Sequence, residues 1–102
     1  MSITLFEFGP TRSGRVRWTL LELGQPFESI EGRHVFSLPE LREIHPLSKL
    51  PAIRDDGRPL YESAAICNWL ADTHPAAGLI PAAGSWSPSL HDQWVAFTLA
   101  EL

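Results

Sequence analysis

The 102-residue sequence is short of several things, and each shortage narrows the choice of function. It holds a single cysteine, Cys67, which excludes an internal disulfide framework and a two-thiol redox motif. One thiol in a small chain fits a reducing compartment. Basic residues are few: 8 Lys and Arg against 12 Asp and Glu give a net charge of -4, with a pI near 5.4. A nucleic-acid scaffold would show a basic face instead. No stretch reaches the roughly 18 consecutive apolar residues of a membrane span. Met1 to Phe8 also lack the basic start and apolar run of a secretion signal. The expected setting is therefore cytoplasmic, with no nucleic acid and no membrane as partner. What remains is 44% hydrophobic and 20% charged, with 4 Trp and 5 Phe. Those large side chains supply the core of one small soluble domain and argue against disorder.

Along the chain the hydrophobic period changes repeatedly. Ile3-Thr-Leu-Phe-Glu-Phe8, closed by Gly9-Pro10, reads as a mostly buried strand. From Ser13 to Leu23, Val16, Leu20 and Leu23 repeat at helical spacing with Thr19 alongside, and Gly24 and Pro26 stop the helix. Phe27 to Glu31 is a weaker strand. If it pairs with the first strand across the helix, the unit is βαβ and the two strands are parallel. Ser37-Leu-Pro-Glu40 has the spacing of a capping box ahead of a short helix through Ile44, ended by Pro46. Pro51 to Arg54, Asp55-Asp-Gly57 and Arg58 to Tyr61 read as strand, tight turn and strand, with Asp56-Gly57 the hairpin signal. Ser63 to Thr73 is helical again, with Ile66, Trp69, Leu70 and Thr73 on one face and Pro75 as terminator.

The order β-α-β-α-β-β-α is that of an α/β, thioredoxin-like domain with a four-stranded mixed sheet, expected over residues 1–75. Residues 75–89 turn to Pro, Ala, Gly and Ser, the mark of a linker. Ser87-Pro88 then looks like an N-cap followed by proline at the first helical position. Leu90, Trp94 and Phe97 form an apolar stripe on that last helix, with no partner element left in the sequence. Residues 76–102 are therefore expected to be a linker and the start of an all-α C-terminal domain. The sequence as a whole reads as part of a protein about twice as long, whose isolated piece would self-associate through the stripe.

In such sheets ligands lie at the carboxyl ends of parallel strands and at helix N-termini. Three segments converge there: Gly9 to Gly14, Ser48 to Pro51, and Glu62-Ser63. In the first, Thr11 and Ser13 serve either as helix caps or as hydroxyl donors to an anion such as a thiolate, whose pKa such donation lowers. Arg12, Arg15 and Arg17 add positive charge near the same helix start, where it opposes the dipole unless an anion compensates. Otherwise they form a solvated face. Pro51 is either a plain strand start or a cis proline that turns the Leu50 backbone outward toward an extended peptide. Glu62-Ser63 is either an ordinary cap or a pair that holds the amino and carboxylate groups of an α-amino acid. Cys67 is expected to be a buried, inert thiol. His34, His45, His74 and His91 lack ligand spacing, and no metal site is expected.

Gly14-Arg-Val-Arg-Trp-Thr-Leu-Leu-Glu-Leu-Gly-Gln-Pro-Phe-Glu28, His45-Pro-Leu-Ser-Lys-Leu-Pro-Ala-Ile53 and Leu60-Tyr-Glu-Ser-Ala-Ala-Ile66 resemble the glutathione transferase family, in its order and spacing. The likeness covers that family's N-terminal, thioredoxin-like domain. It implies glutathione as cosubstrate. Glu62 and Ser63 match the pair that grips the γ-glutamyl end, and Leu50, before the cis proline Pro51, matches the residue whose backbone pairs with the cysteinyl unit. Lys49 would meet the glycyl carboxylate. Thr11-Arg-Ser-Gly-Arg-Val16 resembles the Ser-Arg-Ser-x-Arg-Val run of related sequences, which puts Thr11 at the catalytic serine position, with Ser13 as second choice. Threonine keeps the donor but adds a methyl and restricts χ1.

The implied activity is attack of the glutathione thiolate on an electrophilic small molecule, in a homodimer. The alternative is a non-catalytic module of the same fold, used for binding or protein association.

Overall fold

The computed structural model describes residues 1–101. Strand β1 spans Ile3–Glu7, helix α1 Ser13–Leu23, strand β2 Glu28–Glu31 and helix α2 Pro39–Ile44. Strands β3 (Ala52–Asp55) and β4 (Arg58–Tyr61) form the hairpin, and helices α3 (Ser63–Asp72) and α4 (Ser87–Glu101) follow. Asp56 and Gly57 take φ 51 and 80, the two left-handed positions that let a tight hairpin turn match the strand twist. The sheet order is β2-β1-β3-β4. β1 and β2 run parallel, with Leu5 opposite Ser29. β1 and β3 are antiparallel, as are β3 and β4.

Alternation along the strands divides the core in two. Ile3 and Leu5 of β1 and Ile53 of β3 point to one face, where they bury Val16, Leu20, Ile66 and Leu70 of α1 and α3. Phe6 and Ala52 point the other way and cover Leu41 and Ile44 of α2 and Val35 of the 3-10 turn before it. Each fully buried aliphatic side chain contributes about 1.5–3 kcal/mol. The mixed sheet and its two-sided helical cover are the thioredoxin-like arrangement that the element order predicts. α1 and α3 lie side by side on one face, so the loop before α1 and the N-terminus of α3 end up adjacent.

Two expected caps are different in the structure. Ser37 does not cap α2: it closes a 3-10 turn over Arg33–Ser37, and α2 starts at Pro39 behind Leu38 with no side-chain cap bond. Proline's fixed φ and missing N–H suit that first position without a capping hydroxyl. In α4, the N–H groups of Ser89 and Leu90 donate to the Trp86 carbonyl, so Trp86 takes the cap place and Ser87 is already helical. No residue of α4 is buried. Leu90, Trp94 and Phe97 stay exposed. One tie between α4 and α3 is the hydrogen bond of His91 Nε2 with Asn68 Oδ1 at 3.1 Å.

Candidate functional site

The turn entering β3, the first residues of α3 and the loop after β1 meet in a shallow cleft. Arg12, His45, Lys49, Leu50, Pro51, Glu62 and Ser63 line it, with Leu99 of α4. Five of the seven residues singled out from the sequence therefore share one surface. The Leu50-Pro51 peptide is cis. Pro51 is buried and Leu50 half-buried. Neither backbone polar group of Leu50 is hydrogen-bonded among the described residues, so an extended ligand can pair with it.

Glu62 adopts φ 78 and ψ 116, a conformation that costs a non-glycine residue of order 1–3 kcal/mol and collects at ligand clamps. Its carbonyl accepts the Ile66 N–H at 2.9 Å as the first bond of α3. Its exposed carboxylate has no ion-pair partner among the described residues. Ser63 is buried at the helix start, with 6% of its surface exposed. A carboxylate, a hydroxyl at a helix N-terminus, a free backbone segment and two cations thus surround one cleft. That set suits a zwitterionic, extended peptide carrying carboxylates.

Thr11 and Ser13 do not line this cleft; Arg12 between them does. Their hydroxyls turn inward. Thr11 Oγ1 donates to the Phe8 carbonyl at 2.6 Å, and Ser13 Oγ lies 2.9 Å from the same oxygen. The two hydroxyl oxygens are 2.6 Å apart. Ser13 Oγ also accepts the Phe8 N–H at 3.0 Å, and Thr11 Oγ1 accepts the Ser13 N–H at 3.2 Å. Either hydroxyl alone satisfies the carbonyl, so the loop has one hydroxyl proton more than it needs. Ser13 is 1% exposed and braces the loop; Thr11 is half-buried and nearer solvent.

Two contributors escaped the sequence reading. His45 is buried, its Nδ1 accepts the Leu47 N–H at 3.0 Å, and its ring packs on Tyr61 at 4.3 Å between centroids. It holds the turn that carries Lys49 and Leu50, and its place beside Pro46 was the available signal. Arg12 stood in the arginine cluster without a distinct role. The third member of that cluster, Arg17, is paired: its Nε donates to Glu7 at 2.9 Å, and this carboxylate raises the guanidinium pKa further above its ordinary value. Cys67 is half-buried rather than fully buried. It lies at the flank of α3, where its Sγ accepts from Thr19 Oγ1 at 3.4 Å. A groove of about 390 Å³, mostly apolar, lies beyond Ser63 and is lined by Arg15, Cys67, Asn68, His91 and Trp94 among others. It lacks the convergent charges of the smaller cleft.

Residues 8–78 match the family described as glutathione S-transferase, N-terminal domain, which is more than half of the chain. The chain belongs to that family. This glutathione S-transferase domain is 31% identical to the glutathione S-transferase GST-4.5 of Xanthomonas campestris pv. campestris over 88 residues, 85% of this chain and 41% of the relative. Over 42 residues, 41% of this chain and 18% of the relative, it is 43% identical to a probable maleylacetoacetate isomerase 2 of Drosophila melanogaster. A sphingomonad glutathione S-transferase solved in complex with glutathione superposes with a TM-score of 0.84 at 30% identity, covering 96% of this chain and 51% of that one. The chain thus spans about half of that structure's length and less than half of each curated relative's.

Proposed function

We propose that this domain binds glutathione in the cleft and activates its thiol for attack on an electrophile. In this reading Glu62 receives the γ-glutamyl ammonium, Ser63 and the α3 N-terminus receive its α-carboxylate, and the free backbone of Leu50 pairs with the cysteinyl unit. Lys49 meets the glycyl carboxylate. In the same reading the hydroxyl of Thr11, with Ser13 behind it, turns from the Phe8 carbonyl toward the cysteinyl sulfur. Donation from that hydroxyl favours the thiolate over the thiol. The thiolate then adds to, or displaces a leaving group from, an electrophilic carbon; the proton lost from sulfur goes to solvent. The nucleophile belongs to the cosubstrate, not to the protein.

The observation that carries this reading is the meeting of Glu62, Ser63, Lys49 and the unpaired Leu50 backbone at one cleft in a chain of this family. Calorimetric titration of glutathione into the wild type and the Glu62→Ala and Ser63→Ala variants tests it. Loss of affinity in both variants is expected, and equal affinity in all three would remove the assignment. The homodimer and the cytoplasmic setting belong to the same reading, and sedimentation velocity and cell fractionation test them.

One observation favours the second reading, a binding module without catalysis. The Thr11 hydroxyl is committed to the Phe8 carbonyl at 2.6 Å. Catalysis requires that proton, or the one Ser13 shares with it, to turn outward. Thiolate absorbance of bound glutathione decides between the two. A thiol pKa near the free value, about 8.5, marks the binding module, and a lowered one marks the enzyme.

A further inference from the structure

Of the three arginines around the start of α1, Arg17 is paired with Glu7 and Arg12 lines the cleft. Arg15 forms no ion pair among the described residues. Its Nη1 instead donates to Ser63 Oγ at 3.2 Å. A guanidinium has five donors and no acceptor, so the direction of this bond is settled: Ser63 Oγ accepts, and its own proton must point elsewhere. Ser63 lines both the cleft and the groove beyond it, whereas Arg15 lines only the groove. The guanidinium therefore holds the serine from the groove side.

We infer that Arg15 is a positioning residue: it holds the Ser63 hydroxyl with its proton aimed into the cleft and makes that hydroxyl a stronger donor to a carboxylate. The inference rests on the reading that Ser63 receives the α-carboxylate of a γ-glutamyl group. A serine hydroxyl free to rotate loses orientation each time a ligand leaves; one that must accept from behind keeps its donor forward. Hydrogen bonds to a charged partner are roughly twice as strong as neutral ones, and here the guanidinium polarises one side of the oxygen while the ligand carboxylate draws the proton on the other.

The experiment is a double-mutant cycle read by calorimetry on the full chain: wild type, Arg15→Met, Ser63→Ala and the double variant, each titrated with glutathione and with γ-aminobutyryl-cysteinyl-glycine, which lacks only the α-carboxylate. Arg15→Met should weaken glutathione about tenfold, the size of one lost hydrogen bond to a charged group. It should leave the analogue unchanged and add nothing in the Ser63→Ala background. Arg15→Lys should recover part of the loss, because an ammonium still donates without the fork. If Arg15→Met does not fold, Arg15→Leu, which likewise has no donor, stands in for it with the same expectations. Equal glutathione affinity in wild type and Arg15→Met, or losses that add in the double variant, would overturn the inference while glutathione binding stands. Failure of the wild type to bind glutathione would overturn the functional reading and the inference together.

Discussion

Replacing Thr11 and Ser13 in turn by alanine separates two hydroxyls that share one carbonyl. Ser13→Ala removes the acceptor of the Phe8 N–H, a bond of 3.0 Å in a side chain that is 1% exposed. The Phe8 carbonyl keeps Thr11 at 2.6 Å, so one donor is orphaned rather than two groups. An unsatisfied buried donor costs about 1–3 kcal/mol. Thr11→Ala leaves the carbonyl with Ser13 at 2.9 Å and frees only the Ser13 N–H, held at 3.2 Å in the first turn of α1. That resembles loss of a helix cap with water at hand, at the low end of about 0.5–2 kcal/mol. Ser13→Ala is therefore expected to be the more destabilising by about 1–2 kcal/mol. At roughly 4–8 °C per kcal/mol for a domain of this size, the melting midpoints of the two variants should be clearly resolved. Urea unfolding gives the difference directly, and thiolate absorbance on bound glutathione gives the complementary result, a larger pKa rise in Thr11→Ala. Equal stabilities, or a greater loss in Thr11→Ala, would refute this division of labour.

Other perturbations read other parts of the structure. Glu62→Gly relieves the left-handed backbone at φ 78 and should hold or raise stability by about 1 kcal/mol in urea while weakening glutathione binding. A loss of stability would mean that the Glu62 side chain also supports the fold. Trp69→Phe deprives Asp55 Oδ2 of its 2.8 Å donor, while Oδ1 of the same buried carboxylate already lacks a partner. A destabilisation of about 1.5–3 kcal/mol is expected, and a near-neutral result by chemical unfolding would contradict it. Leu20→Ala empties the centre of the α1–α3 layer and should cost about 2–5 kcal/mol in the same assay. Arg17 has its folded pKa raised by Glu7, so its part in that pair is complete below its ordinary value and is lost only as pH rises above it. Between about pH 6 and 9 the stability difference between wild type and Arg17→Met should be flat, and a slope there would assign the titration to another group.

The fold was legible because its signals are local and periodic. Val16 and Leu20 repeat at helical spacing and fall in the core, and Asp56-Gly57 turns the hairpin as its two left-handed residues require. Boundaries set by competing starts were less legible. At α2 the serine spacing suggested a capping box, but proline's fixed φ started the helix one residue later, with Leu38 rather than Ser37 at the cap position. Cys67 was expected to be a buried thiol, since it lies next to Ile66 on the helix that packs against the sheet. It sits at the edge of the core, half-buried, with its thiol hydrogen-bonded to Thr19 and to the Arg15 carbonyl of α1.

Sequence by itself determined the order of elements, the two-sided sheet and the residue types available at the cleft, since these follow from side-chain period and turn chemistry. It could not say which side chains face each other, because such contacts join residues far apart in the chain. Arg15 and Ser63 are 48 positions apart and meet only because α1 and α3 pack on one face of the sheet. The same packing decided which arginine entered the cleft, which paired with Glu7 and which stood behind the serine. It also decided that Thr11 and Ser13 turn inward on the Phe8 carbonyl, since a hydroxyl takes the direction that its nearest unsatisfied partner allows.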